Sequence, residues 1–172
     1  MKTPKGEKRR ETIEEEAFLI TRSGEIPEVA YHSSLHYLQE DSDGPGLRLT
    51  SEEQLILKEA VIERYRFIIL RDLNPKNRKK RIYRGIKRSI INYNRLSSFA
   101  QREGLEIGHI THEVREALAE FLEIEIRECG ERPKESSINC SFEEIEEFWK
   151  ALGLERTQLP EVLRPLCRQE QD

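Results

Sequence analysis

The stretch TSEEQLILKEAVIERYRFIILRDLNP, residues 50–75, decides the fold class. Thr50 and Glu53 stand at capping-box spacing, the hydroxyl accepting from the first turn while the carboxylate reaches back. The apolar-rich run behind them is far longer than a strand and stops at Asn74-Pro75. C-terminal to it, a second helix is expected from about Arg78 to Glu103, closed by Gly104. A third runs from near Thr111 to Cys129, with Val114, Leu118, Phe121 and Leu122 on one face and Gly130 as the stop. Ser141 and Glu144 make a second capping box before a helix with Phe142, Ile145, Trp149 and Leu152 inward and Gly153 after it as the stop, and Pro160 opens a last short helix ending near Arg168.

N-terminal to Thr50, Asp41–Gly46 is a loop and Tyr31–Gln39 a short helix. Ala17–Thr21 and Glu25–Tyr31, joined by Arg22-Ser23-Gly24, read as a short hairpin whose second strand Pro27 confines to an edge. The expected architecture is an all-α bundle of about five or six helices with that hairpin at its N-terminal end. Residues 1–11 form a disordered basic arm, 12–130 the core and 131–140 a linker. Residues 141–172 form a helical hairpin, packed on the core or serving as a docking element.

The chain has 172 residues, 36% charged and 36% hydrophobic, and a mean hydropathy of −0.73. No uncharged apolar run approaches the roughly 20 residues that a membrane span needs. The opening MKTPKGEKRR leads into TIEEEAFLI, too acidic and too short in its apolar part for a secretory signal, so a cytoplasmic location is expected. Three cysteines without a C-x-x-C motif fit reduced, buried thiols.

The formal net charge of −4 conceals three blocks. Residues 11–63 hold thirteen acids and three bases, residues 64–102 thirteen bases and one acid, Asp72, and residues 113–147 twelve acids and four bases. On the second helix, Ile82, Ile86, Ile90, Tyr93 and Ala100 form the buried stripe. Opposite it, Lys80, Arg81, Arg84, Lys87, Arg88, Arg95 and Arg102 fall within an arc of about 120° and make a basic ridge about 33 Å long. Nothing on that ridge is arranged to read bases; Asn92 and Asn94 are the only amides on the helix that could. Glu59 and Glu63 before it, or Glu116, Glu120 and Glu123 after it, could lie alongside and cancel its field.

The remaining constellations are sparser. His32 with His36 and His109 with His112 have helical spacing for a metal site, although nothing in the sequence brings the two pairs together. Arg102 and His109 have the loose R-x4–6-H form that resembles the all-α HEPN ribonucleases. That resemblance covers two residues, with Glu103 where those families place another polar residue; it implies that Arg102 and His109 act around a scissile phosphate. Phe142, Phe148 and Trp149 form an aromatic side suited to core packing or to partner docking.

The reading adopted is a bacterial-type, cytoplasmic, non-catalytic binding or regulatory protein that needs no cofactor. It engages an acidic protein partner, or a copy of itself, through the basic ridge. The alternative is DNA or RNA binding without sequence specificity through the same ridge, helped by Lys2, Lys5, Lys8, Arg9 and Arg10. A third reading is a hydrolase using a metal or the Arg102–His109 pair.

Overall fold

The computed structural model describes residues 5–40, 48–77, 85–129 and 134–167, and every regular element among them is helical. The elements are α1 (Lys5–Arg22), α2 (Pro27–Glu40), α3 (Ser51–Leu73), α4 (Gly85–Glu103), α5 (Gly108–Cys129), α6 (Glu135–Ile138) and α7 (Phe142–Ala151). The all-α class expected from the sequence holds, but the N-terminal hairpin does not. Ile13 and Ile20, two turns apart and both buried, make residues 5–22 one amphipathic helix that also takes in the described part of the expected basic arm. Pro27 is the first residue of α2 rather than an edge-strand residue, because a helix's first N–H has no partner to lose.

The chain divides into two compact units, residues 1–66 and 67–172. In the N-terminal unit the predicted capping box forms: Glu53 N–H donates to Thr50 Oγ1 at 3.2 Å and Thr50 N–H to Glu53 Oε2 at 2.7 Å. Glu53 also receives Arg9 Nη2 at 2.7 Å, which ties the start of α1 to the start of α3. The Arg9 guanidinium, helped by the Thr50 N–H, holds the Glu53 carboxyl below the usual range. At the other end Arg64 donates to the Ser23 carbonyl, and the buried Tyr65 hydroxyl donates to Glu28 Oε1 at 3.2 Å. Leu57, Val61 and Tyr65 of α3 are fully buried in this unit, as is Ile20 of α1.

The C-terminal unit is built on α4. Its buried face carries Ile86, Ser89, Asn92, Tyr93, Leu96, Phe99 and Ala100. The Tyr93 ring meets Phe148 of α7 with centroids 5.5 Å apart, and its hydroxyl shares a 3.0 Å hydrogen bond with Thr111 of α5. Two of the glycine stops, Gly104 and Gly153, close as Schellman motifs, while Gly130 lies outside the described residues. Gly104 has φ 67°, with Leu105 N–H donating to Ala100 O at 2.8 Å; Gly153 has φ 72°, with Leu154 N–H donating to Trp149 O at 3.1 Å. Arg115 of α5 donates to the Leu152 carbonyl and so fastens the C-terminal end of α7.

Past Gly153 the expected last helix is a series of turns, because Pro165 removes an N–H and obstructs the preceding turn. Side chains hold these turns instead. Trp149 Nε1 donates to Glu155 O at 3.0 Å, and Arg156 Nη2 donates to Arg164 O at 3.1 Å and Cys167 O at 3.0 Å. Residues 134–140, expected as linker, contain the short α6 and the left-handed Asn139, whose φ is 54°.

The two glycine stops differ in surroundings, which yields a prediction. A Cβ at Gly104 meets nothing within 4 Å, whereas one at Gly153 lies 2.7 Å from Arg115 Nη2. Gly104→Ala should cost about 1 kcal/mol, the left-handed penalty alone. Gly153→Ala adds the weakened Arg115 bond and should cost about 2 kcal/mol. Urea midpoints of the two variants check the order.

Candidate binding face

The face of α4 opposite Tyr93 and Leu96 presents Lys87, Ile91, Asn94, Arg95, Ser98 and Arg102, all exposed, with Arg88 at its edge. These positions follow from the 3.6-residue period, so the described part of the ridge faces solvent as the sequence predicts. Lys80, Arg81 and Arg84 lie outside the described residues, as does Ile82 of the predicted buried stripe.

The described bases differ in how far the protein already engages them. Arg88 Nε lies 3.5 Å from Asp72 Oδ2, and Asp72 is wholly buried while receiving Arg71 Nη2 at 3.0 Å. Lys87 Nζ is 3.7 Å from Glu144 of α7, the carboxylate that also closes the second capping box by accepting from Ser141 N–H. Arg102 Nε donates to Glu103 at 3.2 Å and its guanidinium lies over the Phe99 ring. Arg95 carries no ion pair among the described residues. Among the described residues Asp72, Glu103 and Glu144 lie beside ridge bases, while Glu63 pairs with Arg66 and Glu116 with His112.

Ile91 is the residue that sequence reasoning missed. It is 45% exposed and lies between Lys87 and Arg95 on the wheel, so the basic face has a branched apolar centre. The signal was available in its outward angle, opposite the buried stripe. Asn92, considered as a base reader, is buried and donates to Arg88 O at 3.0 Å.

The other candidates are dispersed or internal. Phe148 and Trp149 are buried against the unit and offer no docking surface; Phe142 is half-buried. His32 and His36 belong to the N-terminal unit and His109 and His112 to the C-terminal one, and all four are exposed. Among the described residues no three His, Cys, Asp or Glu side chains gather as a metal site requires. No described helix is long and apolar enough to cross a membrane. Arg102 is committed to Glu103 and Phe99, and His109 lies in the exposed first turn of α5.

Cys140 and Cys167 are buried, reduced thiols. Burial, reinforced by the Glu144 carboxylate to which it donates at 3.4 Å, pushes the Cys140 thiol up to about 12; burial followed by the Glu146 charge raises Cys167. An unfolded thiol ionises near 9.0 while Cys140 stays protonated to about 12, so the unfolded state holds fewer protons in that window and stability falls as pH rises through it. Cys140→Ala should therefore flatten the decline in urea midpoint between pH 8 and 10.5. In a Cys129→Ser background neither remaining thiol should react with a disulfide reagent until urea is added.

Removing the buried partner of Arg71 and Arg88 provides a second check. Asp72→Ala should cost about 3 kcal/mol by leaving both guanidiniums without the buried carboxylate. Glu116→Ala, which breaks only an exposed pair with His112, should stay within about 0.5 kcal/mol. Chemical denaturation distinguishes the two.

No curated protein and no solved structure matches the chain. One family model does, over residues 8–154, and its description is a repeat of unknown function. That match runs from the first turns of α1 through α7, and the chain belongs to this family, DUF7826.

Proposed function

We propose that the chain is a non-catalytic binding protein whose working surface is the solvent face of α4, and that the face engages an acidic protein surface. The observation that carries this reading is the exposed Ile91 set among Lys87, Arg88, Arg95 and Arg102. Protein interfaces combine an apolar centre with a charged rim; a surface meant only for phosphates gains nothing from a branched hydrocarbon in its middle. The rim charges steer encounter and fix orientation, and Ile91 supplies burial that persists in salt. A cytoplasmic setting and a regulatory role belong to the same proposal.

A fluorescent amphipathic peptide with a Glu-rich and Leu-containing face tests it by anisotropy. Wild type should bind more weakly as salt rises. Arg95→Glu with Arg102→Glu should lower affinity at least about tenfold. Ile91→Ala should weaken binding several-fold while leaving the salt slope intact. A DNA or RNA 30-mer that binds more tightly, with a slope of several charges and no response to Ile91→Ala, would overturn this reading in favour of nucleic acid.

A further inference from the structure

The N-terminal unit carries an exposed face of complementary design. On α1, Glu7, Glu11, Glu14, Phe18 and Leu19 all point to solvent; Phe18 is 58% and Leu19 56% exposed. Glu7, Glu11, Glu14 and Phe18 recur at helical spacing on the side away from the buried Ile13 and Ile20, so they form one acidic stripe ending in an apolar tip, with Leu19 about 100° round the helix from Phe18. Isolated exposed hydrophobics are ordinary, but two adjoining ones at the end of such a stripe make an anchored, charged surface.

The two helices match residue by residue. From Ile91 on α4 the bases Arg95 and Arg102 lie four and eleven residues C-terminal. From Phe18 on α1 the acids Glu14 and Glu7 lie four and eleven residues N-terminal. With the helices antiparallel, Ile91 meets Phe18, Arg95 meets Glu14 and Arg102 meets Glu7, each pair at equal rise along its axis. The same alignment places Arg22 near Lys87, a like-charge contact eased because Lys87 already faces Glu144. Among the described residues Glu14 pairs with Arg10, an exposed i,i+4 contact of little energy.

We infer that the occupant of the α4 face is the α1 face of a second copy of this chain. This names the partner within the function proposed above and rests on that reading. The two faces belong to different units, so the contact is between unlike surfaces: a first contact leaves one copy with its α1 face unused and the other with its α4 face unused, and these two either meet each other to close the dimer or take up further copies.

Sedimentation equilibrium of the full chain, from micromolar to several hundred micromolar, provides the test. At low salt the average mass should climb from 20.3 kDa to twice that value or beyond, and at 0.5 M salt it should return toward the monomer. Glu7→Lys with Glu14→Lys should be monomeric, and so should Arg95→Glu with Arg102→Glu, each with its circular dichroism unchanged. An equimolar mixture of the two reversed chains should associate again, because each restores the other's complement. A wild type that stays monomeric throughout, an Arg95/Arg102 reversal that still associates, or a mixture that stays monomeric overturns the inference. Peptide binding retained by a monomeric wild type separates this failure from failure of the α4 reading itself.

Discussion

A carboxylate with no exposed surface governs where the candidate face lies. Burying an ion costs several kcal/mol even after relaxation, and Arg71 and Arg88 beside Asp72 offset that cost. Arg71 comes from the same helix and Arg88 from the next, so the buried charge fastens the end of α3 to the start of α4. One residue on, Ser89 Oγ reaches the Ile69 carbonyl at 3.4 Å and the Gly85 carbonyl at 3.5 Å. Together these contacts prevent α4 from rolling. A roll of a single residue, about 100°, would turn Lys87 inward and Tyr93 away from Phe148 and Thr111.

Features that depend on a few neighbouring residues were legible in the sequence. Thr50–Glu53, Ser141–Glu144, Gly104 and Gly153 each encode a helix end within five positions, and each appears where the spacing puts it. The misread segment, residues 17–31, failed for a matching reason. Its short apolar run, Ala17–Ile20, is ambiguous between strand and helix, and only the turn before it, through Ile13, shows the helical period. Pro160 suggested a helix that Pro165 forbids five residues later. The turns there depend instead on Arg156 and Trp149, whose carbonyl partners no local pattern announces.

The candidate site divides along the same line. Outward placement of Lys87, Arg95 and Arg102 follows from period alone, since the buried stripe fixes the opposite side. What each base touches is tertiary. Asp72 stood out as the lone acid in a basic stretch, yet nothing in the composition says that it is buried or that Arg88 reaches it. Phe148 and Trp149 looked free to dock because their hydrophobicity was visible while Tyr93 and the Glu155 carbonyl, their partners, lay elsewhere in the chain.

These contacts grade the face along its axis. At the N-terminal end, Asp72 and Glu144 already neutralise Arg88 and Lys87, so a partner there must exchange one ion pair for another and gains little. Toward the C-terminal end Arg95 is exposed and Arg102 leans on Phe99 beside an exposed Glu103 contact, where the helix dipole also favours positive charge. On the binding reading proposed above, an acidic ligand gains most by spanning Ile91 to Arg95: it covers the apolar centre and meets a base that carries no ion pair among the described residues. The acidic, basic, acidic order of the chain does not erase the ridge. It pairs Arg88 and Lys87 at one end and leaves Arg95 exposed at the other.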